Sequence, residues 1–319
     1  MPAITAAQIG ALNTAAFTFA EDVDNWSQTR LKDHFLTWFN RNLANKGHWT
    51  GVTLPDNPAN QAGFHSFWNN IGILTGGAAA TPFQFLALMG IFANECRASF
   101  KPAAEKMGRP GFPGITYLFD AIPQLKRSYN TLAGNRNAQQ CFRHAAFNTA
   151  HADKPLIARL RNTADTRWAG AAYPRDVPFD NDANLTGYVM EADFMKFRGR
   201  GFIQTTGRAN YAKIIQYIQG YTGANNVIDF YQARWTGMSI DDLAFSTSNE
   251  DWDRLFQETD LIIAAQAIHL HNAASRDYLA LTGDPDKAIL HMGLRISGGN
   301  GYAVKYRNRM EALIVQALT

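Results

Sequence analysis

Glu95 closes an apolar stretch, with Phe92 three residues before it, near the C-terminal end of a segment that reads as helix. Two effects oppose ionisation there. Apolar surroundings penalise the charged form, and the negative end of the helix dipole penalises it again. A carboxyl kept protonated near neutral pH is what a general acid needs. The same position also suits a solvated helix-end glutamate, or one paired with Arg97. A second candidate is the run Phe197 to Tyr211, FRGRGFIQTTGRANY. Glycines flank Arg200 and let backbone approach another group closely. Gln204, Thr206 and Asn210 offer uncharged amide and hydroxyl groups, suited to sugar hydroxyls and acetamides or to a held water. Read blandly, the run is an Arg/Gly turn leading into an amphipathic helix.

Other constellations carry less. His269 and His271 are two apart and do not share a helix face. His144, His151 and His291 have no ligand spacing to one another. Cys96 adjoins Glu95 but has no histidine partner in sequence, and cysteine is commonly a small buried hydrophobe. Trp26, Trp38, Phe39, Trp49, Phe64, Phe67 and Trp68 could stack on sugars, although helical spacing favours a core role. The chain has neither a phosphate-binding Gly-Lys-Ser/Thr loop nor a GxSxG elbow.

The elements that must position these groups are mostly helices, and strand-like alternation is scarce. Thr81 reads as an N-cap and Pro82 as the first helical residue. Phe85, Leu88, Met89 and Phe92 then line one face, which ends on Glu95. A later helix starts near Asn210, turns Tyr211, Ile214, Ile215 and Ile218 inward, and stops at Gly220. Leu261, Ile262, Ala265 and Ile268 suggest another, and Asp284-Pro285 repeats the cap-then-proline pattern. The last helix, from about Ala303, buries Tyr306, Met310, Leu313 and Ile314. Near the start, Leu31, Phe35, Trp38 and Phe39 keep helical spacing. Residues 45–63 are rich in Asn, Gly and Pro and are the best candidate for a boundary or long loop; 108–114 and 173–187 are further breaks.

Composition narrows the class. The chain has 319 residues, 46% hydrophobic and 18% charged, enough for a real core and too little charge for a disordered chain. Its length suggests roughly two domains. The net charge of +3 suits an anionic polymer surface, and no Lys/Arg block tracks a nucleic-acid backbone. Two cysteines, Cys96 and Cys141, do not make a disulfide scaffold. The start, MPAITAAQIGALNTAAF, lacks a basic n-region and a continuous apolar core. The expectation is a protein made in the cytoplasm without a signal peptide and without stable membrane insertion.

The run KFRGRGFIQTTGRANY, residues 196–211, resembles the signature RFRGRGxIQxTGRxNY of the family 19 glycoside hydrolases, in the form seen in phage endolysins and chitinases. Two further segments resemble the family in the expected order. QFLALMGIFANECRASF, residues 84–100, is similar to its helix ending in His-Glu, here Asn94-Glu95. RISGGN, residues 295–300, is similar to its Ile-Asn-Gly-Gly segment, and a basic helix with Lys305, Arg307 and Arg309 follows. The resemblance covers roughly residues 75–319. It departs at Asn94, at Cys96-Arg97-Ala98, and at Ser297, which stands where the family has an amide.

The resemblance implies a mostly α, lysozyme-like glycosidase domain at 71–319, with an insertion around 106–187 and a helical N-terminal segment at 1–70. It implies cleavage of β-1,4 links in peptidoglycan or chitin-type glycan, with inversion and with no metal or organic cofactor. Glu95 becomes the general acid, and Thr206 helps hold the attacking water. Gln204, Asn210, Ser297 and Tyr211 fall at sugar-binding positions, and Arg200 buttresses the carboxylates. An inverting enzyme needs a second carboxylate about 6.5–9.5 Å from the first. Glu105 is the first choice for this base, Glu191 the second and Asp193 the third; each is otherwise a solvated surface acid. The leading expectation is a bacterial cell-wall hydrolase acting in the periplasm, delivered by a holin, a virion or a secretion apparatus. A chitinase is the alternative enzyme. A non-catalytic glycan-binding or structural virion protein on an inactive hydrolase scaffold is the alternative class.

Overall fold

The computed structural model describes residues 4–75, 78–95, 100–104, 197–240, 243, 247–266, 290, 293–294, 296 and 300–319. It is mostly α-helical, as the periodicity predicts. The chain divides into two compact units, Met1–Ala103 with Asp260–Thr319, and Ala104–Thr259. Among the described residues, no helix is long and apolar enough to cross a membrane.

The first unit is built around α6 (Pro82–Glu95), the sixth helix after α1 (Ala6–Leu12), α2 (Ala20–Trp26), α3 (Phe35–Asn42), α4 (Pro58–Trp68) and α5 (Ile71–Leu74). The start of α6 follows the sequence expectation. Thr81 Oγ1 accepts from Gln84 N at 3.2 Å, Gln84 Oε1 accepts from Thr81 N at 2.7 Å, and Pro82 is the first helical residue. The expectation of one apolar face is too narrow. Phe83, Leu86, Ala87 and Ile91 are as buried as Phe85, Leu88, Met89 and Phe92. A helix apolar on all sides belongs inside a core, with other helices around it.

Those surrounding helices come largely from residues 1–70. The Phe85 ring lies 4.7 Å from that of Trp68, 4.9 Å from Phe35, 5.7 Å from Phe17 and 6.0 Å from Trp26. Phe67 meets Phe92 at 4.3 Å. The first 70 residues therefore share one core with α6, and most of their aromatic residues lie in it, Phe19 being exposed. Fully burying a side chain of this size contributes about 1.5–3 kcal/mol. Of the two expectations for residues 45–63, the loop holds as far as Asn57 and the boundary does not, since the stretch lies inside one unit. Trp49 and Leu54 are core residues, Trp49 packs on Phe39 at 4.9 Å, and α4 begins inside the stretch with Asn57 as its cap. The Asn, Gly and Pro there serve turns and caps around buried anchors. Residues 108–114, 173–187 and Asp284-Pro285 lie outside the described residues.

The second unit contains α7 (Arg208–Gln219), α8 (Asn226–Arg234) and α9 (Asn249–Glu258). Tyr211, Ile214, Ile215 and Ile218 are fully buried and α7 ends on Gly220, both as expected. Asn225 caps α8 and Ser248 caps α9 through their side-chain oxygens. Tyr211 and Trp235 pack against Trp252, at 4.9 and 6.2 Å. In the first unit, the chain resumes with α10 (Asp260–Ala265) and ends with α11 (Asn300–Leu318). The latter packs along α6 and buries Met310, Leu313 and Ile314.

Candidate active site

Glu95 is the last described residue of α6 and is half-buried. Burial raises its carboxyl above the ordinary range, while a hydrogen bond from Tyr306 and the charge of Lys305 oppose the rise. Tyr306, buried on α11, donates its hydroxyl to Glu95 Oε1. Burial and the adjoining Glu95 push the Tyr306 hydroxyl far up, so it remains a donor at any ordinary pH.

The neighbouring cation is engaged elsewhere. Arg309 donates from Nη1 to Asn94 Oδ1, from Nε to the His48 carbonyl at 2.7 Å, and lies 5.3 Å from the centroid of the Trp49 ring. Asn94 in turn donates to the Gly90 carbonyl at 2.6 Å. Asn94, which replaces the histidine expected from the resemblance, thus holds the guanidinium one residue away from Glu95. Gly90 sets how closely α6 and α11 approach. A Cβ there would stand 2.6 Å from Met310 Cγ, so a larger residue would have to push the methionine aside.

In the second unit, the Arg-Gly-Arg-Gly run forms a tight hairpin. Arg200 and Thr205 exchange backbone hydrogen bonds at 2.8 and 3.2 Å, and Gly201 and Gly207 have φ of 99° and 90°. Arg198 donates to both carboxylate oxygens of Asp253, at 3.1 and 2.9 Å. Arg200, fully buried, donates from Nε to Asp253 and from Nη1 to Tyr211 Oη at 2.7 Å. Tyr211 Oη donates to the Arg198 carbonyl at 2.6 Å. Burial alone would lower the Arg200 guanidinium, but Tyr211 and Asp253 outweigh it and hold it up. A Cβ on Gly199 would lie 2.8 Å from Gln204 Oε1 and 3.0 Å from Thr206 Oγ1. The arginines therefore face Asp253 while the glycine between them makes room for Gln204 and Thr206, the two-residue alternation of extended chain.

Gln204 is exposed, Asn210 is half-buried, and Asn210 Nδ2 donates to the Thr206 carbonyl at 2.9 Å. The hairpin thus brings Gln204, Thr206 and Asn210 together. Tyr211 is fully buried, and its hydroxyl is taken up by Arg200 and the Arg198 carbonyl. The expectation that it touches sugar is corrected: it is a core residue that fixes the arginines. The carboxylate that Arg200 is seen to hold is that of Asp253. Glu105, Glu191, Asp193 and Ser297 lie outside the described residues, as do Cys96, Arg97 and all five histidines from His144 to His291.

Sequence reasoning missed Asp253 and the role of Tyr306. Two arginines two residues apart inside an apolar run require an acid from elsewhere, and the acidic segment 249–258 could have supplied the hint. Tyr306 reads as one more inward residue of an amphipathic helix, and nothing local sets its hydroxyl apart. Among the described residues, no cluster of three or more His, Cys, Asp or Glu could hold a metal ion. Compared with known proteins, the chain matches no family model, no curated protein and no solved structure.

Proposed function

We propose that this protein is a lysozyme-like glycoside hydrolase that cuts β-1,4 bonds of bacterial peptidoglycan, with Glu95 as the general acid. One observation carries the reading. The Glu95 carboxyl, at the end of a buried helix, is raised by burial and meets a neutral tyrosine hydroxyl, while the nearby Arg309 is bound to Asn94. An acid that must hold its proton near neutral pH requires this environment. An arginine placed directly on the carboxyl would ionise it.

Protonated Glu95 gives its proton to the glycosidic oxygen as the bond to the anomeric carbon breaks. A second carboxylate takes a proton from the water that attacks the opposite face, which inverts the centre. Glu105 is our choice for that base, on the motif spacing of the resembling family. By the same resemblance, Thr206 steadies the water and Gln204 and Asn210 bind sugar; their grouping at one hairpin is compatible with those roles. The site of action is then the cell wall, reached by release or delivery.

The test is mass spectrometry of muropeptides released from permeabilised cells. Wild type is expected to release glycan fragments with reducing ends, and Glu95→Gln to lower the rate on the order of a thousandfold with the fold kept. Retained cleavage in Glu95→Gln removes Glu95 from the mechanism. Absence of cleavage by wild type rejects the hydrolase reading.

A further inference from the structure

We propose that Tyr306 is a positioning residue for the acid: its hydroxyl, carried on α11, occupies Oε1 of Glu95 and leaves Oε2 as the oxygen that bears the transferable proton. This deepens the reading above and rests on it.

The geometry carries the argument. A protonated carboxyl has one hydroxyl oxygen and one carbonyl oxygen, and an unrestrained group exchanges the two by rotation or proton hopping. A fixed donor on Oε1 makes that atom the acceptor, so the proton resides on Oε2. Tyr306 is such a donor. It is buried, and it is held by the packing of α11 on α6 that Gly90 and Met310 set. Arg309, three residues on from Tyr306, is also fixed, tied to Asn94 and to the His48 carbonyl.

The charged and titratable groups around the pair are few among the described residues. Lys305 acts on Glu95, Tyr302 and Arg309 act on Tyr306, and none of the three is bonded to the carboxyl. When the proton leaves Oε2 for the glycosidic oxygen, Glu95 becomes a carboxylate. The Tyr306 bond then becomes charge-assisted and strengthens as the leaving group is protonated. No other proton moves: Tyr306 keeps its own throughout.

The experiment is a carbon-13 NMR titration of the Glu95 carboxyl, assigned with Glu95→Gln, alongside a pH–rate profile on peptidoglycan. Tyr306→Phe keeps the ring and removes the donor. Its Glu95 midpoint should move up, because the ionised form has lost its partner. The alkaline limb of kcat, which reports the protonated acid, should move up with it. The plateau of kcat should fall about tenfold with KM unchanged. A fluorinated tyrosine at 306, a stronger donor of the same shape, should move the midpoint down. A midpoint unmoved by either change overturns the proposal, and so does movement in one direction for both. The titration needs no turnover, so the two ideas fail separately. Midpoints that move as expected in a wild type that cuts no glycan reject the proton-transfer role and the hydrolase reading. Cleavage with an unmoved midpoint rejects Tyr306 alone.

Discussion

The two units each contain a carboxyl, a buried tyrosine and a buried arginine, and they combine them in opposite ways. In the second unit, Arg200 stands between the partners, bonded to Asp253 on one side and to Tyr211 on the other. In the first, the tyrosine bonds to the carboxyl directly, and Arg309 is drawn off by Asn94, a backbone carbonyl and the face of Trp49. One arrangement yields an ion pair that locks a hairpin. The other yields an acid whose proton is hard to remove. The difference lies in which acceptor the arginine finds, and in the first unit that acceptor is the amide next to the acid.

Removing each arginine should separate the two arrangements most sharply. Arg200→Met takes one of the two guanidiniums from Asp253, Arg198 remaining, and the buried donor from the Tyr211 hydroxyl, and should cost about 3 kcal/mol. Arg309→Met strands only neutral acceptors and should cost about 1–3 kcal/mol. Urea unfolding with hydrogen exchange resolved to each unit measures both, and equal losses would end the contrast. Next in size is Gly90→Ala, whose methyl meets Met310. It should cost about 1–3 kcal/mol and part α6 from α11. The Glu95 midpoint should move with it, whereas an unchanged titration would show that helix spacing does not govern the acid.

The smallest effect is a pH dependence. Burial raises the Glu95 carboxyl, so the folded state keeps its proton to higher pH than the unfolded chain does. The stability this brings is complete below the unfolded value of about 4.3 and is lost as pH rises through the folded value. Gln cannot ionise, so Glu95→Gln should melt above wild type at neutral pH, with the gap closing toward pH 4. A gap independent of pH would mean that the carboxyl is not held in the way described.

Much of the scaffold was legible in local pattern. Thr81-Pro82 announced the start of α6, and the 3.6-residue spacing of Tyr211, Ile214, Ile215 and Ile218 announced α7. The motif brought Gln204, Thr206 and Asn210 to notice, and the hairpin does gather them. What periodicity could not give was partners far apart in the chain. Tyr306 and Glu95 are 211 positions apart, and Arg200 and Asp253 are 53 apart. For residues 45–63 pattern found the loop but not its place in the core, since loop-like composition does not reveal that Trp49 within it is an anchor. Likewise it assigned α6 one apolar face, where Phe83, Leu86, Ala87 and Ile91 are buried as well.

The first unit is interrupted, with α6 made before the second unit and α11 after it. On the ribosome, the acid therefore emerges long before the helix that encloses it, and contacts of such long range form slowly. Until α11 docks, Glu95 lacks the tyrosine hydroxyl that meets it in the folded chain, so the environment of this carboxyl is assembled from the two ends of an interrupted unit.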